Sequence, residues 1–380
     1  MNFQSKLPDL ELTIFAVMTQ LAIEHGAINL SQGFPDFDTY PELISLVDKY
    51  MRAGHNQYAP MPGVMLLRER IAEKVYAMYG AQYNPATEIT VTSGATESIF
   101  AAITAVVKKD DEVIIVEPAY DAYAPIVQLS GGIPVYLQLK FPDYHMDWND
   151  FAKAVNSKTK LIILNYPHNP TGAVLSQEDI SNLARIVENT QTLIVSDEAY
   201  EHIVFDGLRH ESIARHPQLA RRSFVIFSFG KTYHTTGWKI GYCLAPEHLS
   251  SELQKIHQYL TFASNTPIQL AYAEFMQNKE LYLDLPGFYQ QKRDLFLDLI
   301  AESRFRPLPC KGTYYQMLDY SQVSDEPDLV FARRLTIEHG VAAIPPSALY
   351  HQKDDHKVLR FCFAKKKETL ERAAEKLCRI

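Results

Sequence analysis

Seven short β-branched runs alternate with amphipathic stretches through the middle of this 380-residue chain, and few folds accept that pattern. The runs fall at 89–92, 112–117, 133–139, 161–165, 193–196, 224–227 and 240–245, with helical periodicity between several of them, as at 97–107 and 176–190. Strands that are apolar on both faces need helices on both sides, which predicts an α/β fold around a mostly parallel sheet. In such sheets ligands sit beyond the carboxyl ends of the strands. The polar motifs of this chain fall there.

The last third reads differently. A long helix is expected over 281–302, then separated strands at 314–319, 341–344 and 358–363, and a closing helix at 367–377. That order predicts a smaller α+β domain after a junction near 264–267. A chain of this length exceeds one ordinary domain, so two are reasonable. The formal charge of −8 argues against a nucleic-acid surface. Cys243, Cys310, Cys362 and Cys378 form no CxxC pair, which suits neither a disulfide framework nor a zinc site. Free thiols fit a reducing cytosol. No apolar run nears the roughly 20 residues of a membrane span, and the polar N-terminus lacks a leader's apolar core. A cytoplasmic protein without a bound metal is expected.

Four motifs can carry chemistry. After the 224–227 strand comes Ser228-Phe229-Gly230-Lys231-Thr232, with Lys239 further on. An amine at a strand end can form an imine with a carbonyl cofactor, and Ser228 and Lys239 suit a phosphate. Taken alone, such a lysine is usually a solvated charge. Thr92-Ser93-Gly94-Ala95-Thr96-Glu97-Ser98 opens a helix whose positive end suits a phosphate, or is an ordinary N-cap. Asn169-Pro170-Thr171-Gly172 is first of all a turn signal. Asp197-Glu198-Ala199-Tyr200 ends a strand; two adjacent carboxylates can bind a metal, though no His or Cys sits at ligand spacing, and the other reading is a single Asp against a protonated ring nitrogen with Tyr200 three residues on. No GxGxxG or GxxxxGK[ST] is present, so nicotinamide and P-loop readings are weak.

The order of these motifs says more than any one of them. With Tyr120, and with Asn29-Leu30-Ser31-Gln32-Gly33-Phe34-Pro35-Asp36-Phe37, Asn56-Gln57-Tyr58, Tyr166-Pro167-His168-Asn169 and Leu359-Arg360-Phe361, they run through nearly the whole chain. The set resembles the fold-type I pyridoxal 5'-phosphate enzymes of the aspartate aminotransferase superfamily, in the kynurenine, glutamine and methionine aminotransferase branch. The opening and the 257–262 segment look most like bacterial methionine-preferring members.

The resemblance implies a seven-stranded large domain at 40–270 and a small domain from 1–39 with 271–380. It implies that Lys231 holds the cofactor, Asp197 pairs with the ring nitrogen, and Asn169 and Tyr200 bond the ring's phenolic oxygen. Tyr120 would stack on the ring. Ala95, Thr96, Ser228 and Lys239 would hold the phosphate, joined by Tyr58 from a second subunit of a homodimer. Arg360 would clamp the substrate carboxylate, with Gly33 and Asn169 assisting. Phe15, Phe34 and Tyr123, with Phe262 from the partner, are expected as aromatic pocket walls or as plain core. The expected reaction moves an amino group from a large apolar, aromatic or sulfur-bearing amino acid, methionine favoured, to a 2-oxo acid. The competing readings are a β-lyase acting on cysteine conjugates and a non-catalytic cofactor-binding regulator.

Overall fold

The apolar runs become strands because alternate residues enter two different cores. In the computed structural model Ile114, Ile162, Ile194 and Val225 belong to one buried cluster, while Val113, Ile163, Val195 and Phe224 belong to another. Along its inner strands neither face of the sheet meets water, so neither needs polar residues; the edge strand at 133–138 is partly exposed.

After a short N-terminal strand β1 (Ile28–Asn29), the sheet is built from β2 (Ile89–Thr92), β3 (Glu112–Glu117), β4 (Ile133–Gln138), β5 (Thr159–Asn165), β6 (Leu193–Asp197), β7 (Ser223–Ser228) and β8 (Gly241–Leu244). Its order is β2-β8-β7-β6-β5-β3-β4, and only β8 runs antiparallel to its neighbours. The register sets Asn165 beside Asp197 at the carboxyl edge. That edge is where the candidate site forms.

The C-terminal part has a second sheet of β9 (Arg306–Pro307), β10 (Tyr315–Asp319) and β12 (Val358–Cys362), in the order β12-β10-β9. Here β1 pairs in parallel with β11 (Val341–Ala342), joining the N-terminal segment to the C-terminal part. Met18, Ile28 and Leu30 share a core with Leu318, Phe331 and Phe361. The structure describes residues 4–8 and 10–380. Residues 1–3 and 9, within the stretch read above for a leader and for the small domain, lie outside them.

Two expectations need correction. The helix expected over 281–302 is two, Glu280–Leu283 and Leu285–Leu299. Pro286, in the second one's first turn, has no N–H to continue the first. The strand expected over 341–344 is Val341–Ala342, with Ile344 forming an isolated bridge to Arg360. At 264–267, Asn265 caps the helix Thr266–Phe275 and Pro267 lies in its first turn. That helix packs on Pro41–Arg52 and Met65–Tyr79. Among the described residues, no helix is long and apolar enough to cross a membrane.

Candidate active site

A cavity of about 440 Å³ opens at the carboxyl edge of the large sheet. The turn after β2 and the ends of β5, β6 and β7 contribute to it, and β12 adds Arg360 from the second sheet.

The helix Ala95–Val106 begins at this cavity after Gly94, whose φ is 77°. Its N-terminal amides carry partial positive charge, the usual anchor for a phosphate. Lys239 lines the same region in a left-handed conformation, and Ser228 lines it from the end of β7. The approach is close: a Cβ on Gly241 would stand 2.7 Å from the Ala95 amide nitrogen. Glu97 braces the turn by accepting from the Ser93 amide, from His257 Nδ1 at 2.6 Å and from the Thr261 hydroxyl at 2.8 Å.

Asp197 is buried at the end of β6, where Oδ2 accepts from the Tyr123 hydroxyl at 2.7 Å and Oδ1 from the Ala199 amide at 3.1 Å. Burial raises its pKa, and the Tyr123 and Ala199 hydrogen bonds oppose the rise. Such a carboxylate gains from a cationic neighbour. Asn165 anchors this corner, donating to the Asp197 carbonyl at 3.0 Å and accepting from the Asn169 amide at 3.0 Å.

Lys231 sits in the short helix Phe229–Thr232. Its Nζ donates to the Gly33 carbonyl at 3.0 Å and to the Tyr314 hydroxyl at 2.7 Å. Burial pulls the amine's pKa down to about 8, with Arg360 and Lys239 adding to the drop and Asp197 opposing it. Near neutrality it can therefore both take up and release a proton.

Arg360 is 1% exposed, yet its guanidinium lines the cavity. Nη1 donates to Asn169 Oδ1 at 2.7 Å and Nη2 to the Ser31 carbonyl at 2.6 Å. It lies 4.0 Å from the Tyr315 ring centroid and 5.0 Å from that of Phe15. A planar fork held this way suits a carboxylate. Gly33 has to be glycine, since a Cβ would come within 1.8 Å of the Tyr315 hydroxyl.

Phe15, Gly33, Phe34, Ala95, Thr96 and Tyr120 all line this cavity, as do Asn169, Asp197, Tyr200, Ser228, Lys231, Lys239 and Arg360. Tyr123 does not. It is 2% exposed and packs under Asp197, so its part in the site is a hydrogen bond rather than a pocket wall. Tyr58 and Phe262 also lie outside this chain's cavity, 83% and 46% exposed, with their rings edge-on at 5.4 Å. The sequence reading missed Asn165, Tyr314 and Tyr315. The Tyr314–Tyr315 doublet entering an expected strand was the available signal.

Comparison with known proteins decides the family. The profile described as aminotransferase class I and II matches residues 25–377. This chain is a class I and II aminotransferase. The methionine aminotransferase of Escherichia coli K12 is 51% identical to it over 375 residues, covering 98% of this chain and 97% of that one. The kynurenine–oxoglutarate transaminase of Dictyostelium discoideum is 35% identical, covering 97% and 94%. A crystal structure of the E. coli protein YbdL, described as identifying a methionine aminotransferase function, matches with a TM-score of 0.98, 50% identity and full coverage of both chains.

Membership of the family implies pyridoxal 5'-phosphate. The donor set of this aminotransferase fits that group: an amine near pH 8, a buried carboxylate for a ring cation, and a helix start with Ser228 and Lys239 for a phosphate.

Proposed function

We propose that this aminotransferase binds pyridoxal 5'-phosphate at Lys231 and moves the amino group of a large apolar, aromatic or sulfur-bearing amino acid, methionine foremost, to a 2-oxo acid. The observation that carries this reading is the Lys231 amine, with its pKa brought down to about 8, in the same cavity as Asp197 and Arg360. When bound, the cofactor supplies a carbonyl for the substrate amine and a ring that accepts the electrons left at Cα.

The chain's own residues do the rest. Arg360 and Asn169 take the substrate carboxylate and so fix Cα within reach of Lys231. The lysine amine removes the Cα proton as a base and delivers it as an acid. Asp197 keeps a proton on the ring nitrogen, and Tyr200 with Asn169 holds the ring oxygen. Tyr120 covers the ring. Ala95, Thr96, Ser228 and Lys239 hold the phosphate. Phe15, Phe34 and Tyr315 give the substrate side chain an apolar wall, and the E. coli relative's name supports methionine.

Exposed Tyr58 and Phe262 support a homodimer in which both residues complete the partner's site. For the chain's organisation we propose a large domain from about residue 40 and a small one of the N-terminal segment with the C-terminal part. The helix Thr266–Phe275 packs on large-domain helices, which favours a boundary after Phe275. Four free cysteines support a cytoplasmic location.

The test is a half-reaction. Holoenzyme is mixed with methionine and no oxo acid, and the visible band is followed. Bleaching with one equivalent of the matching oxo acid supports the proposal. A persistent band with every donor, or ammonia released catalytically in place of that stoichiometric oxo acid, overturns it.

A further inference from the structure

An amine that both anchors a cofactor and carries a proton must be held somewhere when it is free. Three atoms form a closed triangle at Lys231. Its Nζ donates to the Tyr314 hydroxyl at 2.7 Å and to the Gly33 carbonyl at 3.0 Å, and the Tyr314 hydroxyl donates to that carbonyl at 2.6 Å. None of the three oxygen and nitrogen positions is loosely set. Tyr314 is fully buried, with Tyr200 edge-on at 5.2 Å, Tyr315 at 4.9 Å and Tyr289 at 5.6 Å between ring centroids. The Gly33 backbone packs so closely on Tyr315 that an added Cβ would stand 1.8 Å from its hydroxyl oxygen. Burial and the neighbouring phenols push the Tyr314 hydroxyl well above its ordinary pKa, so it keeps its proton and stays a neutral partner.

We propose that Tyr314, with the Gly33 carbonyl, is the cradle of the free Lys231 amine and a positioning residue for its proton transfer. The reason is valence. Nζ has four tetrahedral directions, one taken by the side chain and two by the cradle. In the neutral amine the remaining direction is the lone pair; in the ammonium it is the third proton. The cradle therefore fixes where a proton is accepted and where it is given back. The proton leaves substrate Cα for the Nζ lone pair, and the electrons of the broken bond stay with carbon. This inference rests on the reading of Lys231 as the proton carrier.

The cradle also favours the ammonium, because both partners accept from it. Tyr314→Phe keeps the ring and deletes the acceptor. In apoenzyme, acetylation of Lys231 is followed by mass spectrometry from about pH 6 to 10, across the amine's titration. The wild-type midpoint is expected near the value of about 8, and the variant's about one unit lower. In holoenzyme, kcat for methionine is expected to fall by roughly 10- to 100-fold with KM within about threefold, as befits a proton-transfer defect. The basic limb of the kcat–pH profile should shift by a similar amount.

An acetylation midpoint identical to wild type, with a superimposable kcat–pH profile, overturns the cradle. Should Tyr314→Phe not fold, Tyr314→Met removes the same hydroxyl with a flexible apolar side chain, and the same criteria apply. If Lys231→Ala retains turnover, the proton-carrier reading fails on its own, while the acetylation midpoint still judges the cradle.

Discussion

The Tyr123 hydroxyl donates a 2.7 Å hydrogen bond to Asp197 Oδ2, so the carboxylate expected to meet the ring nitrogen is held by a phenol buried beneath it. Tyr123→Phe removes a charge-assisted bond worth about 1.5–3 kcal/mol. That bond favours the ionised carboxylate, so the Asp197 pKa should rise further. Cofactor affinity of the apoenzyme, titrated by absorbance, is expected to weaken about tenfold or more. Unchanged affinity would make Tyr123 a packing residue only.

Lys231 makes apoenzyme stability depend on pH. Its folded pKa of about 8 lies below the ordinary 10.5, so between those values the unfolded chain binds more protons and stability rises with pH. Below pH 8 the full penalty applies, at most about 3.4 kcal/mol. Lys231→Met apoenzyme should be more stable than wild type at pH 7 in urea, with the gap closing towards pH 10. A gap that widened with pH would contradict the sign.

Arg360 is tied to Asn169 and Ser31 through separate nitrogens while facing the cavity. A lysine cannot satisfy both oxygens and a substrate carboxylate in one plane. Arg360→Lys is expected to raise KM for amino acids at least tenfold and lower kcat/KM about 100-fold, a loss of roughly 2.7 kcal/mol. Steady-state kinetics with methionine checks it. A wild-type KM would remove Arg360 from the substrate site.

Lys74 and Glu201 form a salt bridge that is almost wholly buried, with the Tyr79 hydroxyl also donating to Glu201. Burial lowers the Lys74 pKa while Glu201 opposes the shift. Glu201→Gln leaves a buried ammonium without its counter-charge, which should cost about 3–5 kcal/mol. Adding Lys74→Met should recover at least half of that loss in chemical denaturation. If the double variant is no better than Glu201→Gln alone, uncompensated charge is not the cause.

The large sheet was legible because its inner strands are buried on both faces, and an apolar run such as 224–227 leaves little choice. The helix Met65–Tyr79 was harder to see. Arg68 and Lys74 lie on its buried side and break the apolar stripe that would mark it. The candidate site was legible wherever a motif sits on one strand end, as at Asp197 and Lys231. Relations between distant segments were not, because no local spacing encodes them. Tyr123 reads as an aromatic wall until its hydroxyl is found on Asp197, 74 residues away. Tyr314 reads as a strand residue until it is found on Lys231, 83 residues away.

The pairing of Arg360 with Asn169, 191 residues apart, also sets an order of events during synthesis. The chain's own proposed cofactor contacts are all translated by residue 239, and Arg360 follows on the order of 10 s later at ordinary elongation rates. β1 waits still longer from its own emergence for β11, the strand it pairs with. The half-made chain therefore carries the amine proposed to anchor the cofactor before it has the arginine proposed to clamp a carboxylate. Selectivity arrives last, with the strand that closes the small sheet.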